Sequence, residues 1–214
     1  MAKITGRLFS SIAVLILAGS PVQAQEWKSG LYFEVGGGLS LVSDTDATQL
    51  GIPFSTSTTE GFIFSGALGK QFDNVHVEAE ALYSENEFDQ INIFGASPKL
   101  SGDTSVIAGL VNVYYDFDFG RNWRPFLGGG FGFAQVSINN ASSLGVPIAD
   151  DEDRTIAYQL KAGISYSLSE HTDFVVSYRF LNSGDLDFSD ASGIPISSDG
   201  IEAHGVEARF RVRF

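Results

Sequence analysis

Ten charged residues carry the strongest chemical signal in this sequence. Near the carboxyl end, Glu207, Arg209, Arg211 and Arg213 occupy every second position. Glu34, Glu78, Glu80, Asp116, Lys161 and Arg179 hold the polar phase of similar alternating runs elsewhere. Side chains two apart on a β-strand share a face, so these five acids and five bases can meet in one enclosed space. There they form either a salt-bridged plug or the lining of a narrow path for ions and small solutes.

Other chemistry is poorly represented. His76, His171 and His204 lack metal-ligand spacing, and the absence of cysteine removes disulfides, thiolate catalysis and cysteine-bound metals. No serine nucleophile stands with a histidine in a recognisable trio. The glycines at 36–38 and 128–132 lie inside alternating runs rather than ahead of a helix, which favours bends and room for neighbours over a phosphate cradle. No enzyme activity, resident metal or cofactor is expected.

A second group of residues lies between the alternating runs. Gly51-Ile52-Pro53-Phe54, Gly145-Val146-Pro147-Ile148 and Gly193-Ile194-Pro195-Ile196 repeat Gly, apolar, Pro, apolar. The pattern is either turn punctuation or an apolar contact patch, which makes Pro53, Phe54, Pro147 and Pro195 candidate contact residues. The same segments are acidic, with Asp150, Asp151 and Asp153 the densest run. Asp185-Leu186-Asp187-Phe188-Ser189-Asp190 begins like a calcium loop but lacks its sixth-position glycine and later glutamate. Solvated charge is the simpler reading of these acids, and weak divalent-cation binding the sharper one.

Eight alternating strands must position these groups. Leu31 to Leu41, Phe62 to Phe72, Val75 to Tyr83, Ile107 to Phe117, Pro125 to Phe133, Ile156 to Leu168, Phe174 to Phe180 and His204 to Phe214 each set apolar residues against polar or small ones. The fifth, rich in glycine, is assigned Leu127, Phe131 and Phe133 outward. Connections alternate long and short. Aromatics gather near the short turns (Phe72, Phe117, Phe119, Trp123, Phe174, Phe214) and near the long loops (Phe62, Tyr158, Phe180). With no helix to cover it, such a sheet closes on itself, with lipid outside and charge inside. A soluble up-and-down barrel inverts that polarity.

The amino end and the composition favour the lipid-facing version. Lys3 and Arg7 precede a short apolar run, and Val22-Gln23-Ala24 has cleavage-site character, so residues 1–24 read as a signal peptide and 25–214 as one barrel domain. Removing Lys3 and Arg7 takes the net charge from −13 to −15. With 26 acidic against 13 basic residues, nucleic acid is excluded as a partner.

The chain resembles the small eight-stranded outer-membrane β-barrels, namely the OmpA transmembrane domain, the neisserial opacity proteins and the rickettsial major surface antigens. The resemblance is carried by Ala157-Tyr158-Gln159-Leu160-Lys161-Ala162-Gly163-Ile164-Ser165-Tyr166, Val176-Ser177-Tyr178-Arg179-Phe180 and Arg124-Pro125-Phe126-Leu127-Gly128-Gly129-Gly130-Phe131-Gly132. Phe214 resembles the family's assembly signal, read by the barrel-assembly machinery. The resemblance implies an all-β, antiparallel, up-and-down transmembrane barrel in the outer membrane of a Gram-negative cell. It implies a monomer amid lipid and lipopolysaccharide, with four long loops turned toward host surface molecules. Structural and surface-interaction work is the expected function, and a porin-like channel for small solutes or ions is the alternative. A wall-anchoring role is not expected.

Overall fold

The computed structural model describes residues 30–214; the expected leader and its cleavage point lie outside the described residues. The strands are β1 Gly30–Val42, β2 Thr45–Gln49, β3 Ile52–Thr58, β4 Gly61–Phe72, β5 Val75–Asn92, β6 Leu100–Asp116, β7 Trp123–Ser143, β8 Val146–Ser167, β9 Thr172–Ser183, β10 Leu186–Ser189, β11 Pro195–Ser198 and β12 Glu202–Arg213.

Eight of them, β1, β4, β5, β6, β7, β8, β9 and β12, pair antiparallel in a ring. The closing seam sets Tyr32 opposite Arg213, Glu34 opposite Arg211 and Gly38 opposite Glu207. Closure removes every edge of the ring, so its backbone amides and carbonyls are satisfied without water. Two glycines on the inner face make space for rings. A Cβ on Gly69 would lie 2.2 Å from Tyr32, and one on Gly163 would lie 2.6 Å from Phe126.

The alternation sorts side chains as the sequence predicts. Leu160 is 56% exposed and Phe131 71% exposed on the outside, whereas Lys161, Arg179 and Arg209 are buried within. The phase of the glycine-rich strand also holds, with Leu127, Phe131 and Phe133 outward. An apolar exterior around a charged interior is the polarity of a barrel solvated by lipid, not of a soluble one.

The expected long loops are mostly strand. β7 and β8 continue to Ser143 and from Val146, so Asn139, Asn140, Pro147 and the acids 150–153 lie in one long hairpin. The first and fourth loops contain the hairpins β2–β3 and β10–β11. These short strands carry the wall upward: β3 pairs with β5, β2 with β11, and β10 meets β8 through the Ala149–Asp190 bridge and the Ala191 N–H to Ile148 carbonyl bond at 2.8 Å. The upper ring encloses an apolar core. Leu186, Phe188 and Ile196 from the hairpins pack with Ile63, Leu82, Val106, Val136 and Leu181 from the barrel.

Leu160→Arg should cost about 2–4 kcal/mol, the usual cost of an arginine near the bilayer midplane. Equilibrium urea unfolding in phospholipid vesicles measures it; a neutral effect would reverse the assignment of inner and outer faces.

Candidate functional site

The barrel interior collects the charged residues in tiers. At the short-turn end, Arg213 pairs with Asp173, which also accepts from the Ser167 hydroxyl at 2.9 Å. Nearby, Asp116 accepts from Gln71 Nε2 at 2.8 Å and lies 2.7 Å from His76 Nδ1, whose ring stacks on Tyr114. One tier up, Arg211 Nε donates to Glu34 at 2.7 Å, and Arg209 Nη1 lies 2.6 Å from the other oxygen of that carboxylate. The Arg211 guanidinium also covers the Tyr32 ring, 4.4 Å from its centroid, while the Tyr32 hydroxyl donates to Glu78 at 2.8 Å.

Glu80 is the hub of the next tier. It accepts from Lys161 Nζ at 2.9 Å, Arg179 Nη2 at 2.5 Å, Asn112 Nδ2 at 2.8 Å and Gln159 Nε2 at 2.6 Å. The register explains why such a hub is needed. Lys161 on β8 lies directly opposite Arg179 on β9, a like-charge cross-strand pair that is destabilising alone. A carboxylate reaching across from β5 turns the repulsion into mutual attraction. Arg179 also pairs with Glu207, which accepts from the Ser65 hydroxyl at 2.9 Å.

All ten lumen residues named from the sequence are therefore buried in one space, and the structure adds two. Asp173 shares the phase of Ser177 and Arg179, and Arg124 that of Phe126; both fall at the first residues of strands, next to short turns. Six buried acids then face six buried bases. Arg124 reaches down to Asp118 in the turn below. The Gly120 N–H donates to Asp118 at 2.8 Å, and this bond, with the guanidinium alongside, holds the Asp118 carboxyl below the usual range against the opposing effect of burial.

Above the charged tiers the interior turns apolar. A void of about 10 Å³ is lined by Arg179, Ser40 and Ser84 together with Ile63, Val106 and Leu181 of the apolar core of the upper ring. A single water needs roughly that volume.

The long-hairpin end carries the excess charge. Among the described residues, six acids lie in the lumen, and Asp73, Asp118 and Glu170 lie at the short-turn end. The remaining sixteen lie on the long hairpins and upper rim, where the bases are Lys99 and Arg154. Asp151 and Asp153 are structural. They accept from the backbone amides of Ser189 at 2.8 Å and Asp187 at 2.9 Å, sealing the seam between β8 and β10. Asp150 is exposed on the opposite phase of β8, so these three acids do not converge, and among the described residues no group of three or more His, Cys, Asp or Glu has a metal-holding arrangement.

The segment that begins like a calcium loop is instead strand β10 followed by a turn. Asp190 caps that turn, accepting from the amides of Ile194 and Ser192 at 2.8 Å each, and these bonds lower its pKa. Gly51, Gly145 and Gly193 of the repeated motif have φ of 78°, 80° and 80°, so the motif marks turns. Pro53, Pro147 and Pro195 are exposed, whereas Phe54, Ile148 and Ile196 turn inward. Pro53 and Phe54 border a cleft of about 680 Å³ whose other walls include Asp46, Asp185, Asp187 and Asp199.

A closed antiparallel ring with an apolar exterior and a neutralised, buried charge network defines a transmembrane β-barrel. Residues 10–214 match the family described as the outer membrane protein beta-barrel domain, and the chain belongs to that family. It is a protein of the cell outer membrane.

Among solved structures, OprG from Pseudomonas aeruginosa aligns over 91% of this chain and 100% of its own, at 14% identity and a TM-score of 0.63. Neisserial surface protein A aligns over 87% and 98%, at 18% identity and a TM-score of 0.53. AlkL in DMPC bilayers aligns over 92% and 96%, at 14% identity and a TM-score of 0.53. These likenesses describe the fold. No curated protein matches the chain.

Two measurements probe this arrangement. Arg179→Met should cost about 3–5 kcal/mol, because it leaves Glu80 and Glu207 short of their shared partner in a dry interior; reversible unfolding in vesicles reads the loss. Asp151→Ala with Asp153→Ala should weaken the β8–β10 seam by about 0.5–1.5 kcal/mol per lost bond. Hydrogen exchange at the Asp187 and Ser189 amides should accelerate while the Arg179 tier stays protected.

Proposed function

We propose that this protein is a sealed, non-catalytic barrel whose work is done by the acidic platform it displays outside the cell. The observation that carries the reading is how the lumen is filled. The charge network below and the apolar core above meet at a void with room for about one water. A lumen filled in this way supports a barrel without a continuous wet path. Every acid in the Glu34, Glu78, Glu80 and Glu207 set is engaged by a base or by a Tyr or Ser hydroxyl, so none is free to shuttle ions.

A catalytic reading has less support. His76 is fully buried beside Asp116, and His204 lies near the apolar exterior, 2.6 Å from the Tyr178 hydroxyl. Neither faces the acidic cleft. We further propose a monomer surrounded by lipid and lipopolysaccharide, with host surface molecules and weakly held divalent cations as partners of the platform. Phe214, exposed beyond β12, is proposed as the contact for the barrel-assembly machinery.

Planar-bilayer recording on the purified barrel tests the sealed lumen. Insertion without discrete current steps is expected. A stable ohmic conductance would favour the channel alternative.

A further inference from the structure

Three hairpin tips at the outer end are built alike. β2–β3 closes on Leu50-Gly51 between paired Gln49 and Ile52, β5–β6 on Phe94-Gly95 between bridged Ile93 and Ala96, and β7–β8 on Leu144-Gly145 between paired Ser143 and Val146. The first residue has φ of 50°, 49° and 52° in turn, and the glycine has 78°, 82° and 80°. Positive φ at both central residues is the type I′ geometry, whose first position suits Asn or Asp and strains a bulky side chain. The opposite end of the barrel supplies a control: there Asp73, at φ 50°, occupies the left-handed position of a short turn.

The apolar tips gain no burial in exchange for that strain. Leu50, Phe94 and Leu144 are 79%, 84% and 91% exposed, the three most exposed large hydrophobics among the described residues. They exceed even the lipid-facing side chains. Ile52 and Val146 add exposed apolar surface beside them. The register makes the tips one rim. Ser55 of β3 lies opposite Asn92 of β5, which sets the first tip beside the second, and Leu100 of β6 opposite Ser143 of β7 sets the third beside the base of the second hairpin.

Strain kept at exposed positions without a local gain points to a partner that covers them. Charge selects the partner. Sixteen acids against Lys99 and Arg154 lie on the hairpins and rim that carry the tips, so a second copy of this platform, or an anionic lipid surface, would meet like charge. The complement is an apolar patch bordered by lysine and arginine, which would seat the tips centrally and meet the carboxylates at its rim.

We propose that Leu50, Phe94 and Leu144 are the apolar anchors of a docking surface for a basic protein partner outside the cell. The proposal rests on the display half of the preceding reading. The probes are three short, water-soluble cyclic peptides: a Leu-Phe-Leu centre flanked by lysines, the same centre flanked by glutamates, and an all-lysine ring. Each is titrated against the full barrel in nanodiscs, with empty nanodiscs subtracted.

The lysine-flanked apolar peptide should bind best, and added salt should weaken it. The triple variant Leu50→Asn, Phe94→Asn, Leu144→Asn suits the type I′ turns and should keep the boiling-dependent gel shift of the native barrel. It should bind that peptide about tenfold or more weakly, as expected for lost apolar contact, and leave the all-lysine ring unchanged.

Equal binding by the Asn variant would overturn the proposal, as would equal binding of the glutamate-flanked peptide or no preference over the all-lysine ring. Tip-dependent capture of protein-free phosphatidylcholine vesicles, or tip-dependent self-association, would overturn it in favour of those occupants. The peptide panel on the native barrel decides even without the variant. Conductance would count against the sealed lumen, whereas unaltered binding by the Asn variant would count against the anchors alone.

Discussion

Charge cannot be left alone inside an eight-stranded barrel. The interior of such a barrel is just wide enough for its own side chains, so water is not available to solvate an ion there. An unpaired carboxylate or guanidinium would then cost several kcal/mol. The consequence is visible in every tier: Asp173 with Arg213, Glu34 between Arg209 and Arg211, Glu80 among Lys161, Arg179, Asn112 and Gln159. The pairs also join strands far apart in sequence. Arg211 and Glu34 close the seam between the last strand and the first, and Glu80 ties β5 to β8 and β9 across the lumen.

Three surroundings then divide the chain between them. Lipid takes the outer phase of the ring, the charge network takes the lower interior, and water takes the long hairpins. The upper ring is where the rules change. Its outer face is polar, with Asp150, Glu152 and Arg154 exposed on β8, so its stability comes from an apolar interior of the soluble kind, with Leu186, Phe188 and Ile196 packed over Leu82 and Val136. The side chains of Asp151 and Asp153 complete the wall where β10 meets β8.

This division also explains what the sequence discloses. Within the lipid band one face must be apolar and the other polar or small, so period-two alternation is strong and even the glycine-rich strand shows its phase through Leu127, Phe131 and Phe133. Above the band, residues such as Asn139 and Asp150 lie on strands whose outer face is wet, and the alternation loses its apolar half; polar strand then reads as loop. Asp173 and Arg124 escaped notice for a different reason. Each begins its strand beside a turn, where composition speaks for turn, although each keeps the inward phase of the residues that follow. The pairing partners are a further step removed, because register across eight strands, rather than spacing along one, brings Glu80 to Arg179.

The balanced lumen has an outward consequence. Six acids and six bases neutralise one another inside, so the acidity of the described chain is expressed almost wholly on the hairpins. A flexible set of loops would spread those like charges apart and lose conformational entropy on meeting any partner. Here the charges instead stand largely on paired strands closed by tight turns and braced by an apolar core. Their self-repulsion is borne by that framework, and the order a partner would otherwise have to impose is already present before contact. The constraint that pairs the charges inside the barrel thus also leaves its long-hairpin end both strongly charged and preorganised.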